Sequence, residues 1–225
     1  MKQLTVMLKP ASSLCNLRCS YCFYDDISSL REVSSFGIMT ESVARSVLDH
    51  ILTELEAGDR LTLSFQGGEP TLAGLDFYRN LTEYIKQKKT EVQIFYTIQT
   101  NGLLLNEEWC EFLTENHVLI GISCDILSQA HDHARTDEKK NGTYRRVVET
   151  IRRLTRYRVE YNVLCTLTRQ IARHPKQVWN EIKKLGIEYV QFTPCLRDLT
   201  CSKTEAFALT PERFASFYQE LFDLW

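Results

Sequence analysis

The sequence lacks three features that would each assign a class directly: a long apolar run, a large net charge and a second Cys-x2-Cys pair. No apolar stretch approaches the length that crosses a bilayer. The formal net charge is only -2, so no basic field attracts nucleic acid or an anionic membrane. The first residues, MKQLTVMLKPASS, are too polar for a secretory leader. We therefore expect a cytoplasmic protein with no membrane or nucleic-acid partner.

Cysteine, by contrast, is concentrated in one place. Three of the chain's 8 cysteines, Cys15, Cys19 and Cys22, fall in the stretch PASSLCNLRCSYCFYDD. Thiols stay reduced inside cells, so such a group indicates metal or redox chemistry before disulfides. Structural zinc sites take four ligands, often as two Cys-x2-Cys pairs. Iron–sulfur clusters also take four cysteines, so three would leave one iron open to a substrate or cofactor. Zinc binding remains the alternative.

Alternating strand-like and helix-like segments predict the fold. The segments rich in β-branched and aromatic residues are 4–8, 61–65, 92–100, 118–124, 161–168 and 189–194. Amphipathic helical patterns lie between them, with cap residues at Thr40, Asn106 and Thr210. Six β-α units in order predict an α/β fold, a partial (β/α)6 TIM-like barrel of parallel strands with outer helices. Residues 129–142 are expected to form a long polar loop.

The Cys-x3-Cys-x2-Cys spacing, with Tyr21 before the last cysteine, resembles the signature of the radical S-adenosylmethionine (SAM) superfamily. The resemblance implies a [4Fe-4S] cluster on Cys15, Cys19 and Cys22, with SAM on the fourth iron. One electron then cleaves SAM to methionine and a 5′-deoxyadenosyl radical, which takes a hydrogen atom from the substrate. The difficult chemistry would belong to the cofactors, and the protein would position them.

The same resemblance implies a set of SAM contacts at the strand ends. The segment FQGGEP is similar to the family's Gly-Gly-Glu-Pro segment, which binds the SAM amino group. The implied SAM-binding residues are Tyr21, Gly67, Gly68, Glu69, Thr100, Asn101, Ser123, Arg135 and Leu196. Without the resemblance, Glu69 and Arg135 would be interpreted as solvated charges. We expect His131 and His133 on the surface, and structural roles for Cys110, Cys165, Cys195 and Cys201.

Longer segments, among them YTIQTNGLLLNEEW and QFTPC, are similar to the anaerobic sulfatase-maturating enzymes. Those enzymes oxidise a Cys or Ser of a sulfatase to Cα-formylglycine, after hydrogen abstraction from its Cβ. The resemblance implies that Tyr24 and Gln66 face the substrate peptide. It also implies a sulfatase or other peptide as substrate, and an electron donor such as ferredoxin or flavodoxin.

Two departures from that family pattern bear on the assignment. The family has Asp-Gly-Pro after the fourth strand, whereas this chain has Asp125-Ile126-Leu127, and we expect Ile126 to exclude the conformations open to glycine. The family's cysteine-rich SPASM region, with two auxiliary clusters and a general-base aspartate, is absent from residues 1–225, which we interpret as the core domain. Another radical SAM peptide-modifying activity, or an inactive iron–sulfur- or zinc-binding fragment ending in the apolar helix at Trp225, remain alternatives.

Overall fold

The main architectural feature of the computed structural model, which describes residues 1–88, 91–197 and 205–225, is a parallel sheet. Its strands are β1 (Gln3–Leu8), β3 (Arg60–Phe65), β4 (Gln93–Thr100), β5 (Leu119–Ser123), β7 (Tyr161–Leu167) and β8 (Val190–Pro194). They are hydrogen-bonded in that order, and every pairing is parallel. The sheet curls into an open half-barrel with β1 and β8 at its edges, which confirms the predicted fold class.

Helices cover the outside of the half-barrel. They are α1 (Phe23–Ser29), α2 (Glu41–Thr53), α3 (Leu75–Gln87), α4 (Glu107–Glu115), α5 (Ser128–Ala134), α6 (Tyr144–Arg156), α7 (Pro175–Leu185) and α8 (Pro211–Leu224). The predicted caps are confirmed, because the side chains of Thr40, Asn106 and Thr210 each accept a backbone N–H three residues on. Helix α7 ends at Gly186, whose φ of 65° is left-handed, as is usual after a helix.

The prediction of a long loop over residues 129–142 was wrong. Residues 128–134 form α5, and residues 135–137 form a short strand, β6 (Arg135–Asp137). Strand β6 pairs antiparallel with β2 (Leu17–Cys19), which lies inside the cysteine segment. Strands of three residues have no hydrophobic pattern of their own, so their existence depends on a partner distant in sequence. The pairing brings residue 135 directly opposite Cys19.

One apolar core fills the space between the sheet and the helices. Cys110 and Cys165 are fully buried in it, and Cys195 is also buried, in line with their predicted structural roles, whereas Cys201 lies outside the described residues. In the ranges that the structure describes, no helix has both the length and the apolar character needed to cross a membrane. Because the sheet is parallel, the carboxyl ends of all six strands meet at one rim, where sites in such folds gather.

Candidate functional site

The three clustered cysteines lie on a loop that leaves the rim after β1. Cys15 precedes β2, Cys19 ends β2, and Cys22 precedes α1, and all three side chains are half-buried. The backbone N–H of Cys22 donates to the carbonyl oxygen of Cys19 at 3.1 Å, which closes a turn between them. The N–H of Leu17 points at Sγ of Cys15, 3.4 Å away. The fold therefore brings the three predicted ligands together in one segment.

The thiols of this segment have perturbed pKa values. Burial raises the pKa of Cys15 to about 11 and that of Cys19 to about 12. The negative charge of a Cys22 thiolate contributes to both increases. Iron binds thiolates, so loading the site with iron would release protons. In the described part of the chain, no three His, Cys, Asp or Glu side chains converge to hold one metal ion. A [4Fe-4S] cluster sets a different requirement, because each cysteine binds its own iron, and three half-buried thiols on one loop fit it.

The Gly-Gly pair after β3 packs directly against the cysteine loop. Gly67 and Gly68 have φ values of 99° and 55°, a region that favours glycine. A Cβ on Gly68 would stand 2.3 Å from the carbonyl oxygen of Leu14, the residue before Cys15. The family resemblance predicted that these glycines contact SAM, and that contact stays a prediction. The structure adds that Gly68 makes room for the protein's own cysteine loop.

Glu69 is buried and bonded to several backbone and hydroxyl groups, so it is not a solvated acid. Its Oε1 accepts from the N–H and hydroxyl of Thr71 and from the hydroxyl of Thr100, at 2.6–3.0 Å. Its Oε2 accepts from the N–H of Asn101 at 2.7 Å. Burial raises the pKa of Glu69, and these four donors oppose that shift. The carboxylate thus ties the rim loops of β3 and β4 together, and its contact with the SAM ammonium stays a prediction.

Asn101 links the same rim to the cysteine loop. Its Nδ2 donates to Oδ1 of Asn16 at 2.8 Å and lies 4.0 Å from Sγ of Cys15. The following Gly102 has a φ of 77°, a left-handed backbone that an Asn-Gly turn requires. Thr100 and Asn101 therefore lie at the rim, where their contact with SAM stays a prediction, and Asn101 orients through Asn16 the loop that holds the first cysteine.

Arg135, predicted to contact the SAM carboxylate, is buried and paired. Its Nε lies 3.2 Å from Oδ2 of Asp125, and its Nη2 donates to the Thr166 hydroxyl at 3.3 Å. The guanidinium lies over the ring of Tyr21, 5.4 Å from the centroid, and the Tyr21 hydroxyl donates to Asp125. Burial works against the charge of Arg135, but Asp125, Tyr21 and Cys19 together outweigh it and the pKa is raised. Two predicted SAM contacts thus share one buried carboxylate.

The two remaining predicted SAM contacts stand apart from this group. The hydroxyl of Ser123, at the end of β5, accepts from Nε2 of Gln99 at 3.1 Å. Leu196 is 71% exposed beyond the end of β8. An exposed apolar side chain at the rim is available to a planar ligand, and its contact with adenine stays a prediction.

The two residues predicted to face a substrate peptide lie side by side. Tyr24 in α1 lies beside the side chain of Gln66, which follows β3: burial raises the pKa of Tyr24, and the Gln66 amide opposes that shift. The ammonium of Lys9 lies 4.8 Å from the centroid of the Tyr24 ring, and its stem runs over Gly67. Lys9 was missed at the sequence level, although its position immediately after β1 placed it at the rim.

Two further predictions near the site were wrong. His131 is fully buried, not on the surface, because residues 128–134 are helical and turn Ala130, His131 and Ala134 inward; His133 is exposed as predicted. Ile126 does not exclude the glycine conformation, because its φ is 60° and its side chain is buried. A left-handed β-branched residue is a genuine outlier. The turn after β5 therefore keeps a glycine-like backbone with an isoleucine in it.

Comparison with known proteins assigns the family. A model of the radical SAM superfamily matches residues 10–186, which is more than half of the chain and includes the cysteine loop, the Gly-Gly-Glu segment and Arg135. The chain belongs to the radical SAM superfamily. The three cysteines, at the rim of a half-barrel, occupy the segment that gave the resemblance in sequence.

Curated relatives point to one branch of that superfamily. The chain is 41% identical over its whole length to a cysteine-type anaerobic sulfatase-maturating enzyme of Clostridium novyi, of which it covers 60%. It is 30% identical over its whole length to a serine-type enzyme of Bacteroides thetaiotaomicron, of which it covers 58%. The chain thus spans about 60% of the length of these relatives.

Solved structures with bound S-adenosylmethionine share the fold of this chain. The fold matches native anSMEcpe with bound AdoMet and Cp18Cys peptide, with a TM-score of 0.88 and 36% identity, over 100% of this chain and 60% of that one. Streptococcus suis SuiB bound to S-adenosylmethionine matches with a TM-score of 0.70 at 16% identity, a likeness that concerns the fold alone.

Proposed function

We propose that this protein is a radical SAM enzyme of the sulfatase-maturating type, which oxidises a Cys or Ser of a sulfatase peptide to Cα-formylglycine. The observation that carries the proposal is the convergence of the cysteine loop, the Gly68–Glu69 segment and Asn101 at one rim. Gly68 packs on the cysteine loop, and Asn101 bonds to both Glu69 and Asn16. The identity of 41% to a cysteine-type maturating enzyme supports this branch over other peptide-modifying ones.

Cys15, Cys19 and Cys22 would hold a [4Fe-4S] cluster, and Glu69 with Arg135 would bind the amino and carboxylate ends of SAM. When bound, the cluster and SAM supply a 5′-deoxyadenosyl radical that abstracts a hydrogen atom from Cβ of the substrate residue. The loop partly buries the three thiols, and Glu69 offers the charge that an ammonium group prefers. Arg135 offers a planar fork of donors for a carboxylate.

Tyr24, Gln66 and Lys9 would contact the substrate peptide. The Tyr24 ring and the Gln66 amide lie next to each other, and the Lys9 stem runs over Gly67 beside them. An amide donor and acceptor suits a peptide backbone, and the Lys9 ammonium adds a donor for carbonyl oxygens. The partners are therefore a sulfatase or similar peptide and a one-electron donor such as ferredoxin or flavodoxin, and the location that suits this oxygen-sensitive chemistry is the cytoplasm.

The test is anaerobic reconstitution with iron and sulfide, reduction with dithionite in the presence of SAM, and measurement of 5′-deoxyadenosine. We expect a brown protein that forms 5′-deoxyadenosine, and loss of both properties in Cys15→Ala, Cys19→Ala and Cys22→Ala. Cys110→Ala removes a thiol that lies in the core away from the rim, and should keep both. A colourless protein that binds zinc in place of iron would contradict the proposal.

Substrate assignment needs a second measurement. Sulfatase-derived peptides bearing Cys or Ser at the modified position are incubated with the reduced enzyme and followed by mass spectrometry. The expected product is Cα-formylglycine, with the Cys peptide preferred because of the closer cysteine-type relative. Formation of 5′-deoxyadenosine with neither peptide modified would favour another peptide substrate for the same core.

A further inference from the structure

Asp125 is a fully buried carboxylate that joins three segments of the site. Its Oδ2 accepts from the Tyr21 hydroxyl of the cysteine loop and lies 3.2 Å from Nε of Arg135. Its Oδ1 accepts from the backbone N–H of Thr166 in β7 at 3.1 Å. Burying a charge is costly unless every lone pair finds a partner. The fold satisfies this carboxylate with Tyr21 and Arg135, two residues that the sequence assigned to SAM binding.

Besides the side-chain ion pair, a chain of hydrogen bonds through His131 and Thr143 connects the backbone of Asp125 to the backbone of Arg135. The N–H of Asp125 donates to Nδ1 of His131 at 3.2 Å, so the ring proton is on Nε2. Nε2 lies 3.1 Å from Oγ1 of Thr143, and that hydroxyl donates to the carbonyl oxygen of Arg135 at 2.8 Å. His131 and Thr143 are both fully buried. We call Asp125, His131 and Thr143 the buried clamp.

The turn that follows Asp125 is strained. Ile126 is left-handed at a φ of 60°, a conformation that is unfavourable for a non-glycine residue. Two hydrogen bonds hold the turn, from Leu127 N–H to the Asp125 carbonyl at 2.6 Å and from His131 N–H to the Leu127 carbonyl at 2.9 Å. Strain of this kind persists only where the surroundings over-determine the backbone. Here the buried clamp fixes the backbone of the turn, because His131 accepts the N–H of Asp125.

We propose that Asp125, held by His131 and Thr143, is a positioning residue that fixes the guanidinium of Arg135 and the ring of Tyr21 for the carboxylate end of SAM. This inference rests on the proposed function. Nε of Arg135 lies 3.2 Å from Oδ2 of Asp125 as an ion pair but donates no hydrogen bond among the described residues, and Nη2 donates to the Thr166 hydroxyl. In the described part of the chain Nη1 of Arg135 donates to no protein acceptor, so the guanidinium keeps a donor for a ligand. A guanidinium ordered before binding loses less entropy when the ligand arrives.

The test measures SAM binding separately from turnover. The protein and its variants are reconstituted with iron and sulfide, and the SAM Kd is determined from the change that SAM causes in the EPR spectrum of the reduced cluster. Iron content and thermal unfolding are recorded for each variant. Asp125→Asn keeps the shape and an acceptor oxygen but removes the charge. We expect its Kd to rise about 10- to 100-fold at unchanged iron content.

A pair of His131 variants distinguishes positioning from packing. His131→Asn places an oxygen near the position of Nδ1, where it can accept from the N–H of Asp125, whereas His131→Gln places its amide nearer Nε2. We expect His131→Asn to stay within about threefold of the native Kd and His131→Gln to lose about tenfold. Equal losses in the two variants would mean that only the volume of the ring matters, and would remove His131 from the proposal.

Asp125→Asn with the native Kd at native iron content would overturn the proposal for Asp125. If Asp125→Asn does not fold, His131→Gln and Thr143→Val are measured instead. An unchanged SAM Kd in these two variants overturns the proposal, and a raised Kd supports it. Failure of the proposed function has a different outcome. In that case SAM leaves the EPR spectrum of the native cluster unchanged, whatever the variants do.

Discussion

Gly68 and Leu14 approach so closely that a Cβ on Gly68 would stand 2.3 Å from the Leu14 carbonyl oxygen and 2.9 Å from the Ser13 carbonyl carbon. Both neighbours are backbone atoms, so neither can rotate away. The contact joins the loop after β3 to the loop that carries Cys15, and the N–H of Glu69 adds a 2.7 Å bond to the same Leu14 carbonyl. The position of the first cysteine therefore depends on a glycine more than 50 residues away in sequence.

Gly68→Ala should consequently damage both the fold and the cluster site. A left-handed φ costs alanine about 1–2 kcal/mol, and the backbone clash adds about 1–3 kcal/mol. Gly186→Ala is the matched control, because Gly186 also has a left-handed φ, 65°, but no atom within 4 Å of its Cβ position. Urea unfolding of the iron-free proteins should show the larger loss at Gly68, and iron uptake should fall only there. Equal losses would show that the Leu14 contact relaxes without cost.

Glu69 offers a second test, this time of a buried carboxylate. In Glu69→Gln one carboxylate oxygen becomes an NH2 donor, which faces either the N–H of Asn101 or the three donors of Thr71 and Thr100. Two donors facing each other without an acceptor cost about 1–3 kcal/mol in a buried site. We expect a loss of that size in the free energy of unfolding of the iron-free protein.

The control for this change is Glu108→Gln. Glu108 accepts from Arg79 at 2.8 Å on the surface, with both side chains more than 40% exposed, and an exposed pair contributes less than about 1 kcal/mol. A comparable loss in both variants would mean that the bonds to Glu69 add no more than an exposed ion pair does.

Most of the scaffold follows from the sequence, because parallel central strands are apolar on both faces and the helices carry local caps. The site follows only in part. The cysteine spacing and the Gly-Gly-Glu segment are visible, but the pairing of β2 with β6 depends on residues more than 100 positions apart. The burial of His131 could not be predicted from its own position in the sequence. It depends on the N–H of Asp125 and the hydroxyl of Thr143, which bond to the two ring nitrogens. A small-residue face, Ala130 and Ala134, was the only local signal.

The left-handed backbone at Ile126 predicts which of two variants, Ile126→Ala or Ile126→Gly, is the more stable. At ordinary backbone angles glycine is less stable than alanine by about 0.5–1 kcal/mol, because it loses more freedom on folding. At the left-handed angle of Ile126 the order should reverse. Both Ile126→Ala and Ile126→Gly lose buried packing worth about 2–5 kcal/mol, but the glycine variant should be the more stable of the two by about 1 kcal/mol.

Ile122 in β5 is the comparison, since it is fully buried and has no left-handed backbone. There Ile122→Ala should be more stable than Ile122→Gly. Urea unfolding of the four iron-free variants measures both differences. The same order at both positions would show that Ile126 is not strained.

His131 predicts how stability depends on pH. Burial and, to a smaller extent, Arg135 lower its pKa, Asp125 and Asp132 oppose the shift, and the net change is from 6.5 to about 4. Only the neutral ring can accept from the N–H of Asp125. Because the folded pKa lies below the unfolded one, the contribution of this group is complete above pH 6.5 and is lost progressively as the pH falls towards about 4.

Between about pH 7.5 and about pH 5, the native iron-free protein should therefore lose about 2 kcal/mol more of its free energy of unfolding than His131→Asn, which does not titrate. Other groups titrate in both proteins, so their contributions cancel in the difference. Urea unfolding of the native protein and of His131→Asn at both pH values gives the four free energies of unfolding that the comparison needs. Parallel losses in the two proteins would mean that His131 is protonated in the folded state at pH 5, and hence that its Nδ1 does not accept the Asp125 N–H.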